Sequence, residues 1–197
     1  MIIRKATLDD AKNICYLYKI VTKSDPYHLT QLDIEVHYKY IEKELKKALE
    51  LGLSLVMEKD NKIIGFIKAY TSEYITLAHV LVNTTIMIHS DYQNKGYGTL
   101  LVNKFLNIIQ NDMQYIYELE LVPHKTNNGA ILFYKKNGFR EEYISHSRIF
   151  NKKNNNFEDE ICLTWKNPSF NMKSLEIYHN YLTNYTRNKY EYTQPRC

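Results

Sequence analysis

The stretch SDYQNKGYGTLL, Ser90 to Leu101, constrains this chain more than any other. Gly96 and Gly98 stand one residue apart. A run rich in Val, Thr and Ile (His79 to His89) precedes them, and a helix-like apolar segment reaching about Asn111 follows. Such a turn joins a strand directly to a helix, as layered α/β proteins do. The first amides of a helix lack intrahelical partners, and the aligned peptide dipoles add partial positive charge. Glycine lets the backbone approach a ligand closely and take φ above zero. With Lys95 nearby, the turn can serve as an anion site. The spacing is neither G-x-x-x-x-G-K-[ST] nor G-x-G-x-x-G, because Leu101 occupies the last position of the latter. By itself the turn fits either a plain connection or a phosphate cradle.

The flanking pattern supplies the rest of an α/β chain. MIIRKA reads as a first strand, and Thr7-Leu8-Asp9-Asp10 as a helix start with an acidic first turn. Ala11, Ile14, Cys15, Leu17 and Tyr18 have helical spacing to about Val21, and Ser24-Asp25-Pro26 ends the run. A second helix is expected from Asp33 to Leu51, with Ile34, Tyr38, Ile41, Leu45 and Leu49 on its stripe and Gly52 as C-cap. Leu53–Lys59 and Lys62–Tyr70 flank Asp60-Asn61, a hairpin signal. Tyr115–Val122 reads as a strand closed by Pro123, and Asn127–Lys136 as a helix ending at Asn137-Gly138. Phe139–Phe150 and Phe157–Trp165 form a final hairpin across Asn151–Asn156. The order β-α-α-β-β-β-α-β-α-β-β defines one mixed α/β domain over residues 1–166. Asn167-Pro168-Ser169 marks a boundary. Residues 167–197 form a C-terminal extension, in which Leu175, Tyr178 and Leu182 have helical spacing to a frayed end near Gln194-Pro195. That segment reads as a helix packed on the domain, with a partner-binding arm as the alternative.

Composition narrows the function classes. A hydrophobic share of 44% over 197 residues supports a real core, and a net charge of +4 permits an anionic ligand without the basic stripe of a nucleic-acid binder. Nucleic acid is therefore not an expected partner. Cys15, Cys162 and Cys197 include no C-x-x-C pair, which suits reduced thiols and a cytoplasmic setting. The N-terminus lacks the pattern of a signal peptide, and no apolar run is long enough to span a membrane, so none is expected as a partner. His89, His124 and His146 make no metal-ligand pattern, and no metal is expected.

A second motif gives the glycine turn its meaning. Gln93-Asn94-Lys95-Gly96-Tyr97-Gly98 resembles the acyl-CoA pyrophosphate loop of the GNAT acetyltransferase superfamily, R/Q-x-x-G-x-G/A. Downstream, Asn127-x-x-Ala130-x-x-x-Tyr134-x-x-x-Gly138-Phe139 is similar to that family's N-x-x-A-x-x-x-Y-x-x-x-G-F helix. Gln93 stands where Arg is commoner and Asn94 where Gly is commoner, which removes one cation that Lys95 partly replaces. The resemblance covers roughly residues 1 to 166. It implies a single mixed domain with a mostly antiparallel central sheet flanked by helices. It also implies an acetyl-CoA-dependent N-acetyltransferase, acting on a primary amine of a small molecule or protein through a ternary complex, as a monomer or homodimer.

The resemblance further implies roles for particular residues. Amides from Gln93, Asn94, Lys95, Gly96, Tyr97, Gly98 and Thr99 would hold the pyrophosphate. Ile86, Met87 and Ile88 would pair with the pantetheine arm as an added strand, one N–H polarising the thioester carbonyl. Asn127 would bind pantetheine or cap its helix, and Phe133 would line the cofactor. Tyr134 would be the general acid that protonates the leaving thiolate. For the general base, the strand before the loop offers no acid at Val82-Asn83-Thr84-Thr85. Glu118 and Glu120 share a face of the next strand. Glu120 is the candidate, His79 a second, and Glu73 and Glu142 further ones, while a water chain would need none. The acceptor is expected between His28–Tyr40 and the last hairpin (Tyr143–Arg148, Glu158–Glu160). A non-catalytic acyl-CoA-binding relative of the same fold is the alternative function.

Overall fold

A computed structural model describes residues 1–24, 35–151 and 155–191. The elements are β1 (Ile2–Lys5), α1 (Ala11–Ser24), α2 (Tyr38–Leu51), β2 (Gly52–Lys59), β3 (Lys62–Thr71), β4 (Val80–Ile88), α3 (Tyr97–Asp112), β5 (Glu118–Leu121), α4 (Asn128–Lys136), β6 (Arg140–Asn151), β7 (Asn156–Lys166) and α5 (Met172–Glu191). The strands form one seven-stranded sheet in the order β1-β2-β3-β4-β5-β7-β6. Every neighbouring pair is antiparallel except β4 and β5. This is the mixed, mostly antiparallel architecture expected from the sequence. No helix among the described residues is long and apolar enough to cross a membrane.

Local chemistry explains most element boundaries. Asp60 and Asn61 take positive φ (51° and 60°), the pair of left-handed residues that a two-residue hairpin turn requires. Arg4 grips Asp10 with two guanidinium bonds of 2.8 Å, and the Thr7 amide donates to the same carboxylate at 2.8 Å. This ties β1 to the start of α1, and the Arg4 bonds hold the Asp10 carboxyl below its usual range. The α2 start differs from expectation: His37 caps the helix by accepting from the Tyr40 amide, so the helix begins at Tyr38. Its buried stripe is Ile41, Leu45 and Ala48, while Tyr38 and Leu49 face out. The predicted positions Asp33 and Ile34 lie outside the described residues, as do Asp25-Pro26, Lys152–Asn154 and the Gln194-Pro195 end.

Two apolar layers sandwich the sheet. On one face Leu101, Val102, Phe105 and Ile109 of α3 pack on Leu55, Met57, Ile64 and Ile67. On the other, Ile14, Leu17, Tyr18 and Val21 of α1 and Ile41 and Leu45 of α2 cover Val56, Phe66 and Met87. α5 lays Tyr178 flat on Tyr115, with ring centroids 3.8 Å apart.

Gly52 follows α2, but it is extended (φ −166°) and opens β2 rather than forming a left-handed cap. Its small size is needed for a different reason: a Cβ there would sit 2.1 Å from the Ala69 carbonyl oxygen on β3. Gly52→Ala is therefore expected to lower stability by about 3 kcal/mol through enforced backbone separation, read as an earlier midpoint in urea unfolding.

Candidate active site

The site begins with a break in the sheet. β4 and β5 pair in parallel at Val80–Glu118 and Leu81–Leu119 only. Beyond that, β4 continues to Ile88 while β5 ends at Leu121. The divergence starts at Asn83, whose φ of 53° goes with a register shift against β3. The shift places an extra β4 residue opposite the Lys68–Tyr70 segment, which is a β-bulge. The Lys68 ammonium donates to the Asn83 carbonyl at 3.1 Å, and the Thr84 hydroxyl reaches across to the Glu120 carbonyl at 2.6 Å.

The divergence leaves one edge of β4 unpaired. The His89 amide donates to Ile64 of β3 at 2.8 Å, so backbone groups of residue 89 face β3. Strand alternation turns those of Met87 the same way and those of Ile86 and Ile88 to the open side. The Ile88 carbonyl there accepts from the Gln93 side-chain amide at 3.0 Å. Past Gln93 the chain passes through two left-handed residues, Asn94 (φ 57°) and Gly96 (φ 83°), and α3 starts at Tyr97. A Cβ on Gly96 would meet nothing within 4 Å, so glycine serves its φ and leaves open space before the helix amides. At Gly98 a Cβ would lie 3.4 Å from the Phe133 ring, which sets the close approach of α3 to α4.

Two cavities flank this edge. The smaller, about 520 Å³, is lined by Ile86, Ile88, Gln93, Asn94, Gly96, Gly98, Thr99, Asn127, Phe133 and Tyr134, together with Gly129 and Ala130. Ten of the residues predicted for the cofactor thus come together. Met87, Lys95 and Tyr97 do not join them. Met87 is fully buried on the α1–α2 face. Lys95 folds back onto the Asp91 carbonyl at 2.7 Å. Tyr97 packs against Tyr92, and its hydroxyl accepts from Lys59 at 3.3 Å. Asn127 caps α4 by accepting from the Ala130 amide at 3.0 Å.

The larger cavity, about 750 Å³, opens between β4, β5, α2 and the β6–β7 hairpin. The two cavities share Ile86, Asn127, Ala130 and Tyr134. The Tyr134 hydroxyl has no hydrogen-bond partner among the described residues, and burial holds its phenol well above the ordinary value. Glu120 lines the larger cavity, and burial, then neighbouring Glu118, raises its carboxyl above the usual range. The other base candidates are elsewhere. Glu118 pairs with Lys166, Glu73 with Lys47, and Glu142 accepts from Thr164. His79 sits at the closed start of β4, its carbonyl accepting from the Tyr117 amide at 2.8 Å. Of the expected acceptor region, Tyr40, Arg148 and Glu160 line the cavity, whereas 28–34 lie outside the described residues. Among the described residues no cluster of His, Cys, Asp or Glu is arranged to hold a metal.

Sequence reasoning missed Glu44, Lys68, Tyr70 and His124 in this cavity. The signal for Lys68 was a lone lysine inside the apolar run IIGFIKAY. Its side chain is 3% exposed and bonds Glu44 at 2.8 Å, while the Tyr70 hydroxyl donates to the same carboxylate oxygen at 3.0 Å. Burial lowers the Lys68 ammonium against the raising effect of Glu44.

Residues 50–141 match the family described as the acetyltransferase (GNAT) domain. An uncharacterized N-acetyltransferase of Methanocaldococcus jannaschii is 30% identical over 145 residues, 72% of this chain. The match spans 62% of that relative's own length. Among solved structures, a GNAT-family acetyltransferase from Streptococcus pneumoniae aligns with a TM-score of 0.74 at 22% identity, over 84% of this chain and 98% of that one. A GNAT-superfamily phosphinothricin acetyltransferase from Sinorhizobium meliloti, solved in complex with acetyl-CoA, gives 0.72 at 12% identity, over 84% and 87%. The matched domain and the M. jannaschii relative indicate the GNAT acetyltransferase superfamily, and the solved structures share its fold.

The buried ion pair gives a direct test of the larger cavity's wall. Glu44→Ala strands the Lys68 ammonium and is expected to cost about 3 kcal/mol. The double variant Glu44→Leu with Lys68→Met should recover most of that loss in the same denaturation assay.

Proposed function

We propose that this protein transfers an acetyl group from acetyl-CoA directly to a primary amine, with both substrates bound at once. The observation that carries this reading is the meeting of two cavities at Ile86, Asn127, Ala130 and Tyr134. The smaller one fits the donor. Its loop offers unpaired helix-start amides behind the left-handed Gly96, which suit a pyrophosphate. Its wall offers the open backbone edge at Ile86 and Ile88, which suits the amide-bearing pantetheine arm. The donor bound to the S. meliloti relative supports the same assignment.

In the proposed reaction the amine enters through the larger cavity. Glu120 takes its proton, and the neutral nitrogen attacks the thioester carbonyl carbon. An amide of the open β4 edge donates to the developing oxyanion. The C–S bond then breaks, the thiolate takes a proton from Tyr134, and the new amide nitrogen gives up its second proton to restore the phenol, while Glu120 releases the first to solvent. Burial suits both groups to these tasks: a phenol held high stays protonated, and a carboxyl held high is a stronger base than one in water. Three carboxylates in the cavity wall, Glu44, Glu120 and Glu160, stand against Lys68 and Arg148, which favours a cationic acceptor.

Two measurements check the roles. Tyr134→Phe is expected to lower kcat about 10²-fold with little change in the acetyl-CoA KM, followed as CoA release across an amine panel; wild-type kcat would remove Tyr134 from the chemistry. For Glu120, the base must be ionised, so wild-type kcat/KM should fall as pH drops through its raised value. Glu120→Gln should be slower throughout and lose that acid limb, keeping only the dependence set by the amine itself.

A further inference from the structure

The carboxylates in and around the larger cavity divide into two kinds. Glu44 accepts from Lys68 and Tyr70, and Glu158 accepts from Asn151 and lies 3.3 Å from His124 Nδ1. Glu118 pairs with Lys166, and Glu142 accepts from Thr164. The side chains of Glu120 and Glu160 accept no hydrogen bond among the described residues, and both line the cavity. Glu160 is the deeper of the two at 9% exposed, yet 12% of its side-chain surface stays open, so a ligand can reach it. Its cationic neighbour is Arg148, whose Nε stands 3.8 Å away, too far for a hydrogen bond. Arg148 rides on a bulge of β6 between Ser145 and Ile149, which Asp159 fixes by accepting from the Ser147 amide at 3.0 Å. The Arg148 side chain is 72% exposed, so the pair contributes little.

Register puts the two carboxylates on one face of the sheet. Glu120 pairs with Thr164, and Glu160 lies four residues back along β7. Ile161 and Leu163 belong to the core beneath α3, so Glu160 and Thr164 face the other way, with Glu120. Four strand steps set the two positions about 13 Å apart. Midway, Cys162 stands opposite Tyr143 of β6. The Tyr143 phenol is pushed up to about 12 by its bond to the Cys162 thiol and then by Glu120, burial and Glu160, so one side chain senses both carboxylates. A carboxylate buried this far without a donor is costly, and one open to a substrate cavity suits a cation that arrives with the substrate. Resting on the acetyl-transfer reading above, we infer that the acceptor is a dication: one amine reacts beside Glu120 while a second ammonium, several carbons along the same molecule, is held by Glu160. An alkylammonium, like that of lysine, is charged at neutral pH. It brings the N–H donors that Arg148 does not supply, and it competes with Arg148 for the same carboxylate. Linear α,ω-diamines are then preferred over amines with a neutral or anionic tail, and Glu160 sets that specificity.

Three linear acceptors of equal length isolate the distal group. Diaminohexane ends in an ammonium, aminohexanol in a hydroxyl and aminohexanoate in a carboxylate. Counted per reacting amine, wild-type protein is expected to favour the diamine over the alcohol by about tenfold in kcat/KM, the worth of one charge-assisted hydrogen bond. Aminohexanoate should be the poorest of the three. Glu160→Gln should bring the diamine-to-alcohol ratio near one, with the loss in KM rather than kcat. Arg148→Gln, at an exposed position, should raise the ratio by removing a competing cation. With CoA in place of acetyl-CoA no transfer occurs. Calorimetry should then show diaminohexane binding more tightly than aminohexanol to wild-type protein, and equally to Glu160→Gln. Should Glu160→Gln fail to fold, the wild-type panel and Arg148→Gln still decide. No diamine preference in wild-type protein, an unchanged ratio in Glu160→Gln, a ratio that falls in Arg148→Gln, or a preference for aminohexanoate overturns the inference. A diamine preference in calorimetry without CoA release from acetyl-CoA on any amine overturns the transferase reading instead.

Discussion

The extra residue at Asn83 is the constraint from which the rest of the site follows. A parallel pair normally continues until one strand ends, but β4 and β5 part after Leu81–Leu119. A bulge bends its strand and releases backbone groups from the ladder. Here the Asn83 carbonyl is taken by Lys68 and the gap is bridged by Thr84 to the Glu120 carbonyl. Each bond fixes one wall, so the opening is a defined shape rather than a frayed edge. Without it Ile86 and Ile88 would spend their amides on β5, and the two cavities that meet there would close.

Holding the bulge carbonyl with an ammonium has an electrostatic cost, because Lys68 is almost wholly buried. Glu44 offsets it from α2, and Tyr70 donates to the same carboxylate. The result is a locally neutral floor beneath the larger cavity. Arg148 approaches Glu160 at 3.8 Å on the opposite side. Glu120 has no such partner among the described residues, and burial raises its carboxyl. Burial thus pushes two groups toward the proton-bound form, the Tyr134 phenol at the cavity junction and the Glu120 carboxyl in the larger cavity, as the proposed acid and base require.

How much of this was legible in the sequence depended on range. The glycine turn, the Asn127–Phe139 helix and the Asp60-Asn61 hairpin are encoded by residues a few places apart, and all three form where the spacing put them. Strand alternation put Glu118 and Glu120 on one face, and of the two the larger cavity takes Glu120. Gly52 was read by local rules as a helix cap, yet its role is set by Ala69, which the chain brings alongside only when β2 and β3 pair. Met87 was grouped with Ile86 and Ile88, although alternation sends its side chain and backbone to the other face and to β3. Lys68 with Glu44 and His124 with Glu158 join residues 24 and 34 positions apart. The apolar run around Lys68 sets that lysine apart, but no short pattern names its partner Glu44 or joins His124 to Glu158.

An opening at one end of a strand pair requires a clamp at the other, and the segment after β7 provides it. The Tyr117 amide bonds the His79 carbonyl at 2.8 Å, just where β4 begins. Asn167 donates its backbone amide to Tyr117 and its side-chain amide to Ile116, both at 2.9 Å, and the Asn171 amide reaches Gln114 at 2.9 Å. Tyr178 of α5 then stacks on Tyr115. These contacts grip residues 114–117 immediately before β5. Side chains alternate along a strand, so a slip of one residue would exchange the faces of Glu120 and Leu121 and turn the carboxylate away from the cavity. β5 has only four residues and two parallel pairs with which to resist that slip by itself. The register that places Glu120 in the larger cavity is thus set outside β5, by its antiparallel bonds to β7 and by the clamp that follows.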